Sequence, residues 1–533
     1  MRRRRLPASA PQRDDLEAAL ATMSAEDLRE VVREMLLELD DKSHGRVMSS
    51  LINRAARSGT GWAPAALSDD EVEDAISFAK AAKRVGQADP SEVDEHLRKG
   101  SAAFLGKDYA AAHRVFGALL PPVGDGDIFL GQDEMIDEVL GTDTDACAAQ
   151  YVVSVYMLTP PAQRAEAVRQ AIDEVRSVGH FWEPLGELER AAVEPLPGFH
   201  DFLAQWRALI VPKPSNQRDR DWDTQEDRWL REVVQRLEGS DGLAKVARST
   251  RRADDLRAWC KSLVDARQWK SALAAFEEAA ELVADKERAR GEFLDGAALA
   301  AQTLGRKDLP ARLEKAWRAG PTVLRLRRWL GSSSSKAILG KRVAQALEGC
   351  PTQAARQRAL LHVLESDFVP AATLLAAAPG LGWSNQEHPG HLLFPLFARL
   401  LGGMRGLPSA ATDQLSLRDM DEVFESTTTD PDAPRLIAPE IEALLEQAGV
   451  EAISDSAAWA TILTAMKKAA ENRTAGVTEQ KRRQYYGHAA ELVALCVACD
   501  TAGETARWAA ALKANYNRFP ALRSELDRAM RAL

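Results

Sequence analysis

Cysteine is scarce in this chain: five among 533 residues, at positions 147, 260, 350, 496 and 499. An odd, scattered set is no disulfide framework for a chain of this length, and it points to a reducing cytoplasm. Long apolar runs are missing too. The two longest, Ala371 to Leu381 and Leu392 to Leu401, are broken by Pro379 and Gly380 or by Pro395 and Arg399, well short of the ~20 residues of a bilayer span. No membrane segment is expected. Behind Met1-Arg2-Arg3-Arg4-Arg5 come Asp14, Asp15 and Glu17 instead of an apolar stretch, so the start does not read as a signal peptide. The sequence also lacks a run of alternating strand residues, a helix-borne His-Glu-x-x-His, a Gly-x-Ser-x-Gly elbow and a dinucleotide loop after a strand. No catalytic residue, cofactor or metal ligand is therefore assigned.

What is present is helical periodicity. Hydrophobic residues at 45% and charged residues at 28% fit a folded, soluble chain, and its length demands two to four packing units or a continuous array. Ser24 and Asp27 open a helix with apolar Leu28, Val31, Val32, Met35, Leu36 and Leu39 on one face. Ser68 and Glu71 form a capping box ahead of Val72, Ala75, Ile76 and Ala79, with Gly86 placed to end that helix. Both helices are expected to pack on a neighbour. Pro121-Pro122-Val123-Gly124-Asp125-Gly126-Asp127 reads as a loop, and Tyr151 to Tyr156 as either strand or buried helix. Breaks at 212–223 and Thr427 to Pro434, with a further division where the first hairpin starts at Ser91, give four blocks: 1–90, 91–211, 224–426 and 435–533. The expected fold is all-α, an irregular α-solenoid of stacked antiparallel helix pairs.

One spacing recurs. Tyr109, Ala112, Phe116 and Leu119 match Trp269, Ala272, Phe276 and Ala279, with small residues where two backbones must approach and a ring one turn later. This resembles the tetratricopeptide repeat, although no 34-residue period is sustained and the next small pair is Ala316/Ala319. The resemblance implies a degenerate helical array that binds a protein or peptide. Lys315-Ala316-Trp317-Arg318-Ala319-Gly320-Pro321-Thr322, and the block from Tyr485-Tyr486 to Phe519-Pro520 ending in Glu525-Leu526-Asp527, resemble helical regions that accompany SWIM zinc fingers in bacterial proteins. The finger's closely spaced Cys and His ligands are absent from the sequence, so its DNA-binding role does not carry over.

Candidate chemistry is thin. Cys496 and Cys499 form a CxxC inside a helical segment with no second pair, and packing is the favoured reading over zinc. His388 and His391 flank Pro389-Gly390, where polar capping beside Leu392-Leu393-Phe394 is favoured over metal ligation. The acidic stretch 125–134 lacks the calcium-loop spacing, and Asp125/Asp127 and Asp419/Asp421 read as solvated pairs. Ser332 to Ser335 reads as a connector or helix start.

Charge is distributed unevenly. The net charge is −10, yet residues 306 to 342 hold eleven Lys and Arg against Asp308 and Glu314. Arg312, Lys315, Arg318, Arg325, Arg327 and Arg328 could share a face for phosphates or an acidic protein, unless they pair with acids elsewhere in the chain. The function expected is a non-catalytic protein-interaction scaffold or adaptor. A nucleic-acid-associated protein using 306–342 is the alternative, and an enzyme resting on the turn at 387–391 or the loop at 125–134 is the third reading.

Overall fold

The structure is a computed structural model, describing residues 10–131, 134–210, 223–385, 387–402, 434–500 and 503–532. Residues 212–222 and 427–433 of the two expected breaks, the pair Asp419/Asp421, and residues 132–133 of the acidic stretch lie outside the described residues. The chain divides into two compact units, Met1–Val246 and Ala247–Leu533. The first holds α1 (Ala10–Thr22), α2 (Ala25–Leu37), α3 (Asp41–Ala56), α4 (Asp69–Val85), α5 (Pro90–Leu105), α6 (Tyr109–Gly124), α7 (Ile136–Val139), α8 (Thr144–Leu158), α9 (Arg164–Glu174), α10 (Pro184–Ala191), α11 (Phe199–Leu209) and most of α12 (Gln225–Thr250). The second holds α13 (Ala253–Asp265), α14 (Trp269–Leu282), α15 (Glu287–Thr303), α16 (Leu309–Ala319), α17 (Val323–Gly331), α18 (Lys336–Gly349), α19 (Ala355–Leu364), α20 (Phe368–Ala376) and α21 (Gly390–Leu400). It continues with α22 (Ile441–Ala448), α23 (Ser456–Glu479), α24 (Tyr486–Ala498), α25 (Glu504–Asn515) and α26 (Pro520–Arg531). Among the described residues there is no strand, only one isolated bridge between Gln87 and Phe129.

The fold is all-α, with neighbouring helices stacked on one another along the chain. The capping boxes expected at Ser24/Asp27 and Ser68/Glu71 are formed, and Gly86 ends α4 in the left-handed region. Tyr151 to Tyr156 is helix, inside α8, where all six but Val155 are buried. Two expectations hold only in part. The loop expected from Pro121 begins later: α6 runs through Pro121 and Pro122 to Gly124, and only Asp125-Gly126-Asp127 form the turn. Prolines near a helix end remove few internal bonds, the residues four back are the small Gly117 and Ala118, and buried Leu119, Leu120 and Val123 hold the turn in place. The Pro121 and Pro122 carbonyls still accept from the N–H groups of Asp125 and Ile128, at 2.9 and 3.0 Å. The stripe of α2 packs only in part, since it meets α3 and Leu28, Val31 and Leu36 are half-buried but no residue is fully buried. In α4, by contrast, Val72, Ala75, Ala79 and Ala82 are buried.

Five helix pairs share one turn. Lys107, Arg267, Gly305, Ser366 and Lys481 each have φ between 53 and 66°. Each turn has the same three backbone hydrogen bonds. At Lys107 these run from Gly106 N–H to Ala102 O, Lys107 N–H to Phe104 O and Asp108 N–H to Ala103 O, at 2.9, 3.0 and 2.9 Å. The last bond of each set is the long closure of a Schellman end, which satisfies a helix-terminal carbonyl. Four of the five left-handed residues are not glycine, and three of those are cations at the negative end of a helix dipole.

Three of these turns are followed by one pattern: an aromatic residue two places on, alanine at five and a large apolar residue at nine. It reads Tyr109, Ala112, Phe116; Trp269, Ala272, Phe276; and Phe368, Ala371, Leu375. The three alanines are fully buried. The rings differ in where they go. Phe116 packs back onto α5, where a Cβ added to Gly100 would lie 2.8 Å from the ring, whereas Phe276 packs forward onto α15, where a Cβ on Gly296 would overlap it. Tyr109 meets Phe104 edge-on at 5.6 Å between centroids and donates to Glu194 at 3.1 Å, while Trp269 joins Phe276 against Leu273, Ala297, Ala300 and Ala301.

The core of the first unit includes a run of rings, Tyr156, Phe202, Trp206 and Trp229, with successive centroids 5.0, 5.7 and 5.6 Å apart. That of the second extends from Ala298 to Leu526. Overpacking a filled crossing costs about 1–3 kcal/mol. Ala272→Leu is therefore expected to lower the unfolding free energy by that amount in a denaturant titration, and an unchanged midpoint would show that the crossing has room.

Candidate functional site

Each of the six cations singled out in the basic window has a partner within the chain. Arg312 lies on α16 between Glu277 and Asp308, with N–O distances of 2.5 and 2.9 Å. Lys315 reaches Glu281 at 3.4 Å and Arg318 reaches Glu314 at 2.8 Å. Arg318 also covers Trp317 and Trp329, whose rings stack at 5.2 Å. On α17, Arg325 pairs with Asp295 at 2.7 Å and donates to Gly320 O, and Arg328 stands 3.8 Å from the same carboxylate. Arg327 is fully buried, and its guanidinium donates to Pro439 O at 2.7 and 2.9 Å. Such groups tie α17 to α15 and to the approach of α22. The serine run is a helix start: Ser335 caps α18, while Ser332 and Ser333 accept from Arg342.

Cys496 and Cys499 are packing residues. Both are buried in the apolar cluster of the second unit, and burial pushes the Cys499 thiol up to about 12 and that of Cys496 well up. Among the described residues no group of three or more His, Cys, Asp or Glu side chains could hold a metal.

The residues that do converge come from five segments of the second unit. Asn472 on α23 donates to Ala376 O and Ala378 O, both at 3.2 Å, and draws the end of α20 against α23. Gly380 then meets the α23 backbone so closely that a Cβ there would overlap Asn472 O. Only glycine fits that approach. From this anchored strap Trp383 turns into the interior, with its ring centre 4.9 Å from that of His388, 5.0 Å from His488 and 6.0 Å from His391. His391 and His488 stack at 6.3 Å. Arg473, 5% exposed, lies 5.9 Å from the Trp383 ring centre and 5.1 Å from that of Tyr485. Arg356 and Gln357 enter from α19, and Gln357 binds Trp317 at 2.8 Å and Glu387 at 3.5 Å.

His388 is satisfied: Nε2 donates to Pro379 O at 2.9 Å, and Nδ1 accepts from Gly390 N–H at 3.1 Å. It caps the entry to α21, as the sequence suggested. His391 and His488 carry the unusual chemistry. Burial and the positive charges nearby, Arg356 and Arg473 for His391 and Arg473 for His488, depress these imidazoles to about 4 and about 3. Both are neutral at physiological pH. Sequence reading found His388 and His391 but missed Trp383, Arg473 and His488, since each alone is an ordinary helix or loop residue and nothing local links them.

The first unit has a separate cavity of about 450 Å³ between α3 and α5, lined by His44, Ser49, Asn53, Arg98, Ser101 and Leu105 among others. None of the described helices is long and apolar enough to cross a membrane. No protein-family model matches the chain, and no curated protein matches it.

An unfolded chain protonates histidine near 6.5, while the folded site resists until about 4 and about 3. Between those values the unfolded state binds more protons, so stability falls as pH falls, by on the order of a few kcal/mol. Denaturation midpoints from neutral pH toward pH 4 are expected to drop less steeply in a His391→Asn/His488→Asn variant than in the wild type. Equal slopes would contradict neutral burial of the two rings.

Proposed function

We propose that the chain is a non-catalytic protein-interaction scaffold of degenerate tetratricopeptide-like type. The observation that carries this reading is α2. It is capped at its start and amphipathic, yet its apolar stripe is only half covered: Leu28, Val31 and Leu36 are half-buried, while Val32 and Met35 stay exposed. Val32 and Met35, one turn apart on that stripe, are 37% and 61% exposed. Contiguous exposed apolar side chains mark interaction surfaces more often than chance scatter does, and an amphipathic helix face is a common docking element. Asp27 and Glu38 lie along one edge of this face and Arg29 along the other, with Glu26, Glu30 and Glu34 on the far side of the helix, which favours a partner with an apolar centre and a basic group at one edge. The similarity of 315–322 and 485–527 to helical regions accompanying SWIM zinc fingers fits the same class, a helical accessory in a cytoplasmic assembly.

Nucleic-acid contact through 306–342 has less behind it, because Arg312, Lys315, Arg318, Arg325, Arg327 and Arg328 all have acidic or carbonyl partners within the chain. The test is proximity labelling in the native cell, with the wild type compared against Val32→Glu/Met35→Glu. A defined partner present with the wild type and lost with the variant, at equal expression and with unchanged circular dichroism, is expected. Identical labelling by both proteins would refute a role for this face.

A further inference from the structure

The cluster around Trp383 keeps buried nitrogens to which the chain gives no hydrogen-bond partner. Three buried nitrogens, Nε of Arg473, Nε1 of Trp383 and Nδ1 of His488, have no hydrogen-bond partner. Arg473 and Trp383 are 5% and 4% exposed. A guanidinium stays charged under all physiological conditions, and a buried charge without a counter-charge is costly. Arg473 donates to Gly380 O at 3.1 Å but makes no ion pair among the described residues. Arg482 adds a further positive charge beside it. Stacking on Trp383 and Tyr485 offsets part of this cost and leaves the donors unmet. A water molecule would answer the hydrogen bonds but not the charge. A cation is opposed by Arg473.

We propose that this cluster is a binding site for a small oxyanion, a carboxylate or phosphate group, held by Arg473, the indole N–H of Trp383 and the imidazole of His488. Its oxygens offer enough lone pairs for all three nitrogens, and charge-assisted bonds to guanidinium are the strongest of their kind. His391 and His488 are half-buried and Tyr485 is exposed, so the approach is from their side. His391 has no hydrogen-bond partner among the described residues, which leaves its ring available to the incoming group. His388, already satisfied, only positions Trp383. The anion is either free or carried on a larger molecule as an acidic side chain or phosphoryl group, and in both cases the chemistry at the site is the same. This inference does not depend on the scaffold reading, since α2 belongs to the other unit.

The test is titration of the full isotope-labelled chain with inorganic phosphate and, separately, acetate, following the indole N–H resonance that disappears in Trp383→Phe. A saturable shift of that resonance is expected with at least one of the two ions, and the tighter one identifies the anion class. Arg473→Met should weaken binding by about tenfold or more. Should that variant fail to fold, His488→Phe keeps a ring in the stack, removes the imidazole nitrogens and should weaken binding several-fold. The proposal is overturned if neither ion moves the resonance, or if the shift is unsaturable and unchanged in the folded variants.

Discussion

Everything in this fold depends on how closely two helices can approach at a few crossings. Ala112, Ala272 and Ala371 are fully buried, and each follows a turn that reverses the chain within two residues. The turn fixes where the second helix begins, and the alanine fixes how near it lies. A left-handed residue other than glycine is costly on its own, and it is held here by three backbone hydrogen bonds and by the apolar faces on either side. Local strain is stabilised by long-range packing, so turn and crossing should form together. The spacing between such turns varies, with left-handed residues at 107, 267, 305, 366 and 481. The repeated object is thus a hairpin geometry and not a repeat of constant length.

The hairpins also explain why charge is spent where it is. Arg325 and Arg328 on α17 both approach Asp295 on α15, so two cations that look like a surface patch in sequence are cross-braces between helices. Arg312 bridges α16 to α14 through Glu277 in the same way. Only Lys315 and Arg318 in this set keep about half of their side chain in water, at 54% and 46%. Exposed pairs such as Lys315 with Glu281 contribute little stability. Losing one partner of the buried Asp295 group would be far more damaging, because the remaining charges could not return to water.

Much of the local structure was legible. The boxes at Ser24 and Ser68, the cap at Gly86 and the crossings at Ala112 and Ala272 follow from side-chain size and hydrogen-bonding capacity within a few residues. The third copy, Phe368, Ala371 and Leu375, was hidden because Val369-Pro370 looks like a break, although proline is tolerated in the first turn of a helix. Pro121 and Pro122 misled in the same direction. The fate of α2 could not be read, since an amphipathic stripe reports that a face is apolar and not what covers it. The donor cluster was illegible for a different reason: Arg356, Trp383, His391, Arg473 and His488 meet only through tertiary packing, and Arg473 in its helix is indistinguishable by sequence from a solvated charge.

The most direct test of this account is native-state hydrogen exchange at the five turns. The amides of Asp108, Gln268, Arg306, Asp367 and Arg482 each close a turn onto a carbonyl of the preceding helix, at 2.8 to 2.9 Å. If turn and crossing form one cooperative unit, these amides exchange as slowly as the helix interiors they join, despite lying in short connections. Exchange at the rate of an open loop, with the flanking helices still protected, would contradict it.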